Sequence, residues 1–206
     1  MHMKGTAFAL ALIGAAAWGV SRISTSFADR VVVDPETTGS PAPEAVTELV
    51  PAGKAAPNFS GKLSNGAAFS LSAATKTSPV FVYFIAESCP VTDAATPYYN
   101  RLATAYKALG LQVVGVINSD NPAGWIKSHK PAFPILADGK YKVIEAYGVE
   151  RGPTSVLIGK GGKIVKSWDG WSRGYVQELG SLSARALGKS AVALDLKGAP
   201  TQVEAG

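Results

Sequence analysis

Cysteine is nearly absent from this sequence of 206 residues: Cys89 is the only one, beside two histidines, His2 and His129. One thiol excludes an intramolecular disulfide, and so few nitrogen and sulfur ligands cannot supply the four that a structural zinc site needs. Charge is also scarce, at 17% of residues against roughly 25% in ordinary soluble domains. The net balance of +5 falls to +3 once residues 1–28, with Lys4 and Arg22, are set aside. No run of Lys and Arg makes a basic stripe, which argues against a nucleic-acid footprint. Gly159 to Gly162, with Lys160, resembles a phosphate cradle only superficially. No helix follows it, so it reads as a hairpin turn, and neither a metal nor a cofactor is expected. Apolar side chains are what the chain does have, at 47%. That excludes a disordered chain and suffices for one substantial core, hardly two.

The amino terminus reads as an address. Met1 to Lys4 is short and basic, and Gly5 to Val20 is uncharged. The run is shorter than the roughly 20 residues a membrane-spanning helix requires, and Ser26-Phe27-Ala28 offers a small-x-small cleavage pattern before Asp29. Residues 1–28 are expected to be a cleaved signal peptide. An N-terminal anchor is the alternative, a membrane tether through residues 5–20 with Trp18 and Arg22 at the interface. Either way the domain is exported, to the periplasmic or extracellular side of the membrane. Residues 29–54 then read as a Pro-rich linker, 55–190 as the folded domain, and 191–206, where periodicity is lost, as a flexible tail.

Within the domain, Phe59 to Leu71 around Ser64-Asn65-Gly66 marks a β-hairpin. Val80 to Ala86 (VFVYFIA) is a short β-branched and aromatic run, the pattern of a strand buried on both faces. Apolar side chains at Ala95, Tyr98, Leu102, Ala105, Tyr106 and Leu109 then follow helical spacing up to Gly110. Leu111 to Ile117 is a second buried strand, which closes a βαβ unit with parallel strands. Asn121 to Lys130 is a short helix or loop, Phe133 to Ala137 is extended, and Gly139 to Tyr147 is helical. Thr154 to Ile158 and Lys163 to Trp168 form a hairpin, and Val176, Leu179, Leu182 and Leu187 line a last helix. The order predicts an α/β fold: a mixed central sheet with helices on both faces and an N-terminal β-hairpin extension.

Cys89 stands where the buried strand meets the helix. Pro90 suits the first helical turn, and Cys89 or Ser88 is the N-cap. Backbone N–H groups at a helix start favour an anion, here the nucleophilic thiolate. Thr92 and Asp93 are placed to hydrogen-bond it or simply to satisfy first-turn N–H groups. His129, between Ser128 and Lys130, reads as a surface residue rather than a base. Trp168, Trp171 and Tyr175 read as packing rather than a ligand cage.

The segment Val82 to Pro97, VYFIAESCPVTDAATP, resembles the active-site stretch of the thioredoxin superfamily, including a proline eight positions after the cysteine. Gly53 to Phe59 (GKAAPNF), Tyr147-Gly148-Val149, Gly152 to Ile158 (GPTSVLI) and Gly162-Lys163-Ile164 are similar to motifs of its redoxin branch. That branch comprises the alkyl hydroperoxide reductase/thiol-specific antioxidant and TlpA-like proteins. The resemblance covers residues 53 to 190 and implies a thioredoxin-like fold. It also implies a cis Pro153 facing Cys89, with the backbone before it free to bind an extended substrate strand.

The departures bear on function. The second cysteine of dithiol relatives is replaced by Thr92, so only a monothiol route through a mixed disulfide survives. Tyr83 stands where thioredoxins have a buried Asp, and Ser88 where they have Trp. Ala86 replaces the Thr or Ser that helps peroxiredoxins hold peroxide, Pro153 stands where they carry an Arg, and Arg151 need not point into the site. The expectation is a thiol-dependent oxidoreductase, redoxin- or peroxiredoxin-like, with Cys89, Thr92 and Pro153 as catalytic residues. Ser88, Pro90, Gly152 and Thr154 would contact a peroxide or disulfide substrate, and an external thiol reductant would resolve Cys89. The alternative is a catalytically silent peptide-binding or scaffold module of the cell envelope.

Overall fold

Six consecutive residues, Val80–Ile85, are buried without exception, and the architecture follows from what covers each side of them. The computed structural model describes residues 48–206 and the short strand Val32–Val33. The elements are β1 (Val32–Val33), β2 (Phe59–Lys62), β3 (Ala68–Ser70), α1 (Leu71–Thr77), β4 (Val80–Ile85), α2 (Pro90–Lys107) and β5 (Gln112–Ile117). They continue with α3 (Ala123–His129), β6 (Ile135–Ala137), α4 (Lys142–Ala146), β7 (Thr154–Ile158), β8 (Ile164–Asp169) and α5 (Arg173–Leu187). The main sheet has the order β6-β5-β4-β7-β8, with β4, β5 and β6 parallel and β7 and β8 antiparallel to their neighbours. A separate antiparallel sheet, β1-β2-β3, contains the expected hairpin around Asn65-Gly66.

Successive side chains of a strand point to opposite faces. Phe81, Tyr83 and Ile85 join Tyr99, Leu102 and Tyr106 of α2 and Val176 and Leu179 of α5 in one cluster. Val80, Val82 and Phe84 join Leu71 of α1, Val143 of α4, Phe59 and Tyr147 in the other. The mixed sheet with helices on both faces, expected from the order of elements, is therefore the observed fold. Helix α1 is an addition. It is seven residues of Leu, Ser, Ala, Thr and Lys, too short and too rich in hydroxyl side chains to stand out by spacing.

Contacts extend beyond residues 55–190 at both ends. The packed unit begins before residue 55, because Val50 N–H donates to Tyr147 O (3.3 Å) and Gly53 N–H to Ile164 O (2.8 Å). At the other end, residues 191–206 pack onto the domain. Leu196 and Ala199 are buried, Val192 N–H donates to the Tyr106 hydroxyl (3.0 Å), and the Arg101 guanidinium donates to Asp195 O (2.6 Å). Two apolar anchors without a period hold this segment across α2 and α5. The signal or anchor reading of residues 1–28, and the linker apart from Val32–Val33 and 48–54, lie outside the described residues. Among the described residues no helix is long and apolar enough to cross a membrane.

Candidate active site

Strand β4 ends at Ile85, and a four-residue turn carries the chain to α2. The turn closes through Cys89 N–H to Ala86 O (3.1 Å), and its first residues are held by Glu87 N–H donating to Asn118 Oδ1 (2.8 Å). Cys89, rather than Ser88, is the N-cap of α2, and Pro90 occupies the first helical position, where a missing N–H costs nothing. The thiol is half-buried, while Ser88 and Pro90 are exposed on its rim. An eighteen-residue helix thus directs its positive end at a sulfur atom.

Across from it lies the turn that enters β7. The Gly152–Pro153 peptide is cis, as the resemblance implied, and Cys89 Sγ faces Gly152 O at 3.7 Å. Position 152 admits only glycine on steric grounds. A Cβ there would sit 2.9 Å from both Ala86 Cβ and Thr92 Oγ1. The close approach of the two turns brings the Gly152 carbonyl to the thiol. Thr154, by contrast, turns its hydroxyl back to Arg151 O (2.8 Å) and closes its own loop.

Thr92 is fully buried, and its hydroxyl has no hydrogen-bond partner among the described residues. Its carbonyl accepts from Tyr83 OH (3.1 Å) and from Thr96 Oγ1 (2.8 Å). The place of a buried carboxylate beneath the thiol is therefore filled by a phenol, which burial holds protonated by raising its pKa well above the usual value. Asp93 turns away from the sulfur side. Its Oδ1 accepts from Trp125 Nε1 (3.2 Å) and faces His129 Nε2 (3.0 Å).

His129 is a partly exposed residue with partners of its own. It stacks on Trp125 at 4.5 Å, and Nδ1 lies 2.9 Å from Trp125 O, so it ties α3 to the first turn of α2. The link joins residues 36 apart in the chain and left no local signal. Arg151 points away from the thiol, gripping Asp169 through Nε (2.9 Å) and Nη2 (2.5 Å). Trp168 and Trp171 are core side chains, as expected. A groove of about 170 Å³ opens on the far side of Gly152, between Ala86, Asn118, Tyr141, Ile144 and Val149. Among the described residues no cluster of His, Cys, Asp and Glu could hold a metal.

Comparison with known proteins agrees with this geometry. A thiol-disulfide oxidoreductase ResA of Bacillus cereus is 30% identical over 140 residues, which are 64% of this chain and 80% of that protein. ResA of Halalkalibacterium halodurans is 33% identical over 91 residues, 42% of this chain and 51% of that one. Among solved structures, a candidate thiol:disulfide interchange protein DsbE from Chlorobium tepidum superposes with a TM-score of 0.60 at 27% identity, covering 68% of this chain and 99% of that chain. Residues 52–167 match the AhpC/TSA family model, and with the fold and the Cys89–Pro153 geometry this makes the chain a member of the AhpC/TSA family on a thioredoxin-like fold.

Proposed function

We propose that this chain is an exported monothiol thiol-disulfide oxidoreductase in which Cys89 is the sole nucleophile. One observation carries the reading: a half-buried thiol at the N-terminus of α2 faces the carbonyl before a cis proline, with Thr92 in place of a second thiol. The Cys89 thiolate attacks one sulfur of a disulfide, forms the Cys89–S–S–R bond and releases the other half as thiolate. An external thiolate then attacks the sulfur of R, restores Cys89 and leaves with R as a new disulfide. Gly152 borders the sulfur and Thr92 packs against Gly152, while Ser88 and Pro90 form the rim an incoming partner meets.

Disulfide exchange is favoured over peroxide reduction because the groups that would hold a peroxide are missing. Ala86 carries no hydroxyl, and Arg151 is committed to Asp169. Export rests on the basic start, the uncharged run over residues 5–20 and the small-x-small pattern at 26–28.

The test is to expose the reduced full chain and its Cys89→Ser variant to glutathione disulfide and, separately, to stoichiometric hydrogen peroxide, and to weigh the products. A mixed disulfide on Cys89 that added thiol removes, formed much faster than on free cysteine, is the expected result. Rapid sulfenic acid formation without exchange would replace this reading with a one-cysteine peroxidase. Reaction no faster than free cysteine with either oxidant would leave the silent binding module.

A further inference from the structure

The docked segment after α5 does not stop at its anchors. Beyond Leu196 and Ala199 the Pro200 carbonyl accepts from Arg173 N–H (2.7 Å), and after a bend at Thr201-Gln202 the chain runs toward the thiol. Glu204 and Trp171 exchange both backbone hydrogen bonds, at 2.8 and 2.9 Å, an antiparallel rung just past the end of β8. Two residues later Gly206 N–H donates to Gly152 O at 2.7 Å. This is the same carbonyl that Cys89 Sγ faces.

Two glycines let the backbones meet there. A Cβ on Gly206 would collide with Cys89 Sγ, and one on Gly170, whose φ is +81°, would lie 2.5 Å from Glu204 O. Residues 201–206 are otherwise exposed, so backbone pairing rather than side-chain burial holds them. The pairing is the same strand addition by which an extended polypeptide would engage that edge.

We propose that Thr201–Gly206 is a strap acting in cis, a pseudosubstrate segment that occupies the strand-pairing edge at Gly152 and shields Cys89 from bulky disulfide partners. The buried Leu196 and Ala199 are its fixed end and the bend at Thr201-Gln202 its pivot. An extended polypeptide that carries a disulfide displaces it by taking the Gly152 carbonyl. Few exposed hydrogen bonds hold such a segment, so it opens far below the cost of global unfolding. The inference deepens the proposed function, since it concerns who reaches the same thiol, but its test needs no disulfide chemistry.

The test compares the reduced full chain with the same chain ended after Pro200, using alkylation at the single cysteine as readout. Removal of the strap is expected to speed modification by a maleimide on a large polyethylene glycol roughly tenfold, and by iodoacetamide less than about twofold. Equal rates with the large reagent overturn the proposal. Should the shortened chain lose its near-ultraviolet circular dichroism, Gly206→Val in the full chain serves instead. Its side chain cannot coexist with Cys89 Sγ at that spacing, so it should free the thiol several-fold, and an unchanged rate overturns the strap. A chain whose thiol is uncovered by these changes yet forms no mixed disulfide refutes the proposed function and leaves the strap standing.

Discussion

Two strand-to-helix junctions lie at the same edge of the sheet, because β4 and β6 run parallel on either side of β5. At the end of β6 the junction is closed from within. Asp138 is 1% exposed, and its Oδ2 accepts from Val143 N–H and Ile144 N–H, both at 2.9 Å, at the start of α4. At the end of β4 no side-chain cap is made among the described residues, and the residue that starts the helix is a half-buried thiol. The helix behind the thiol has eighteen residues and the one behind the carboxylate five. One kind of junction thus serves stability when the chain supplies its own hydrogen-bond acceptor, and chemistry when the helix end is left for an anion to form upon. The difference lies in the cap, not in the topology.

Exchanging the roles should separate the two sharply. Cys89→Ser is expected to lower disulfide exchange by roughly a thousandfold or more, because a hydroxyl at its free pKa is a poor nucleophile. Its urea midpoint should move little, by less than about 1 kcal/mol in stability. Asp138→Ala should do the reverse. Two orphaned N–H groups would cost about 1–3 kcal/mol in urea unfolding, while the exchange rate of the folded protein holds within about twofold. A fully folded Asp138→Ala variant without exchange activity would break the comparison.

How much of this was legible depends on the range of the signal. The apolar run of β4, the helical spacing of α2 and the turn residues of the hairpins are local patterns, and each appears where expected. The Cys89-Pro90-Val91-Thr92 motif and the Gly152-Pro153 turn were legible through the family resemblance, which also led to their meeting across the site. What escaped depends on contacts between distant residues with no period. Asp93 meets His129 and Trp125 only because α3 packs on α2. Leu196 and Ala199 find the α2/α5 surface from a stretch without helical or strand period, and Gly206 reaches Gly152 through backbone atoms that every sequence shares.

The capped junction also carries a pH signature. Burial pushes Asp138 up to about 6, from an ordinary value of 3.8, with the N–H groups of α4 opposing the rise and Glu145 adding to it. A carboxyl whose pKa is higher in the folded than in the unfolded state binds more protons when folded, so stability is full below about 4 and is lost as pH rises through about 6. The loss amounts to at most about 3 kcal/mol by pH 7. Asp138→Asn keeps an acceptor for Val143 and Ile144 but cannot ionise. Urea midpoints between pH 4 and 7 should slope downward for the native chain and lie flatter for this variant, and parallel slopes would remove Asp138 as the cause.

The smallest expected effect asks whether the open junction has a cap of its own in waiting. Thr92 is the third residue of α2, one turn beyond Cys89, and its hydroxyl, without a partner among the described residues, lies against Gly152. A buried hydroxyl without a partner is a net cost, so Thr92→Val, which keeps the shape, should leave stability unchanged or raise it by up to about 1 kcal/mol. If the hydroxyl served only to fill space, exchange at Cys89 would be untouched. The expected outcome is a slowing of about two- to fivefold in mixed-disulfide formation, with Thr92→Ser restoring the rate, because a hydroxyl within one turn can donate to a sulfur that carries charge. Stopped-flow exchange with glutathione disulfide on the three chains decides it, and equal rates for Val, Ser and Thr would assign the position to packing alone.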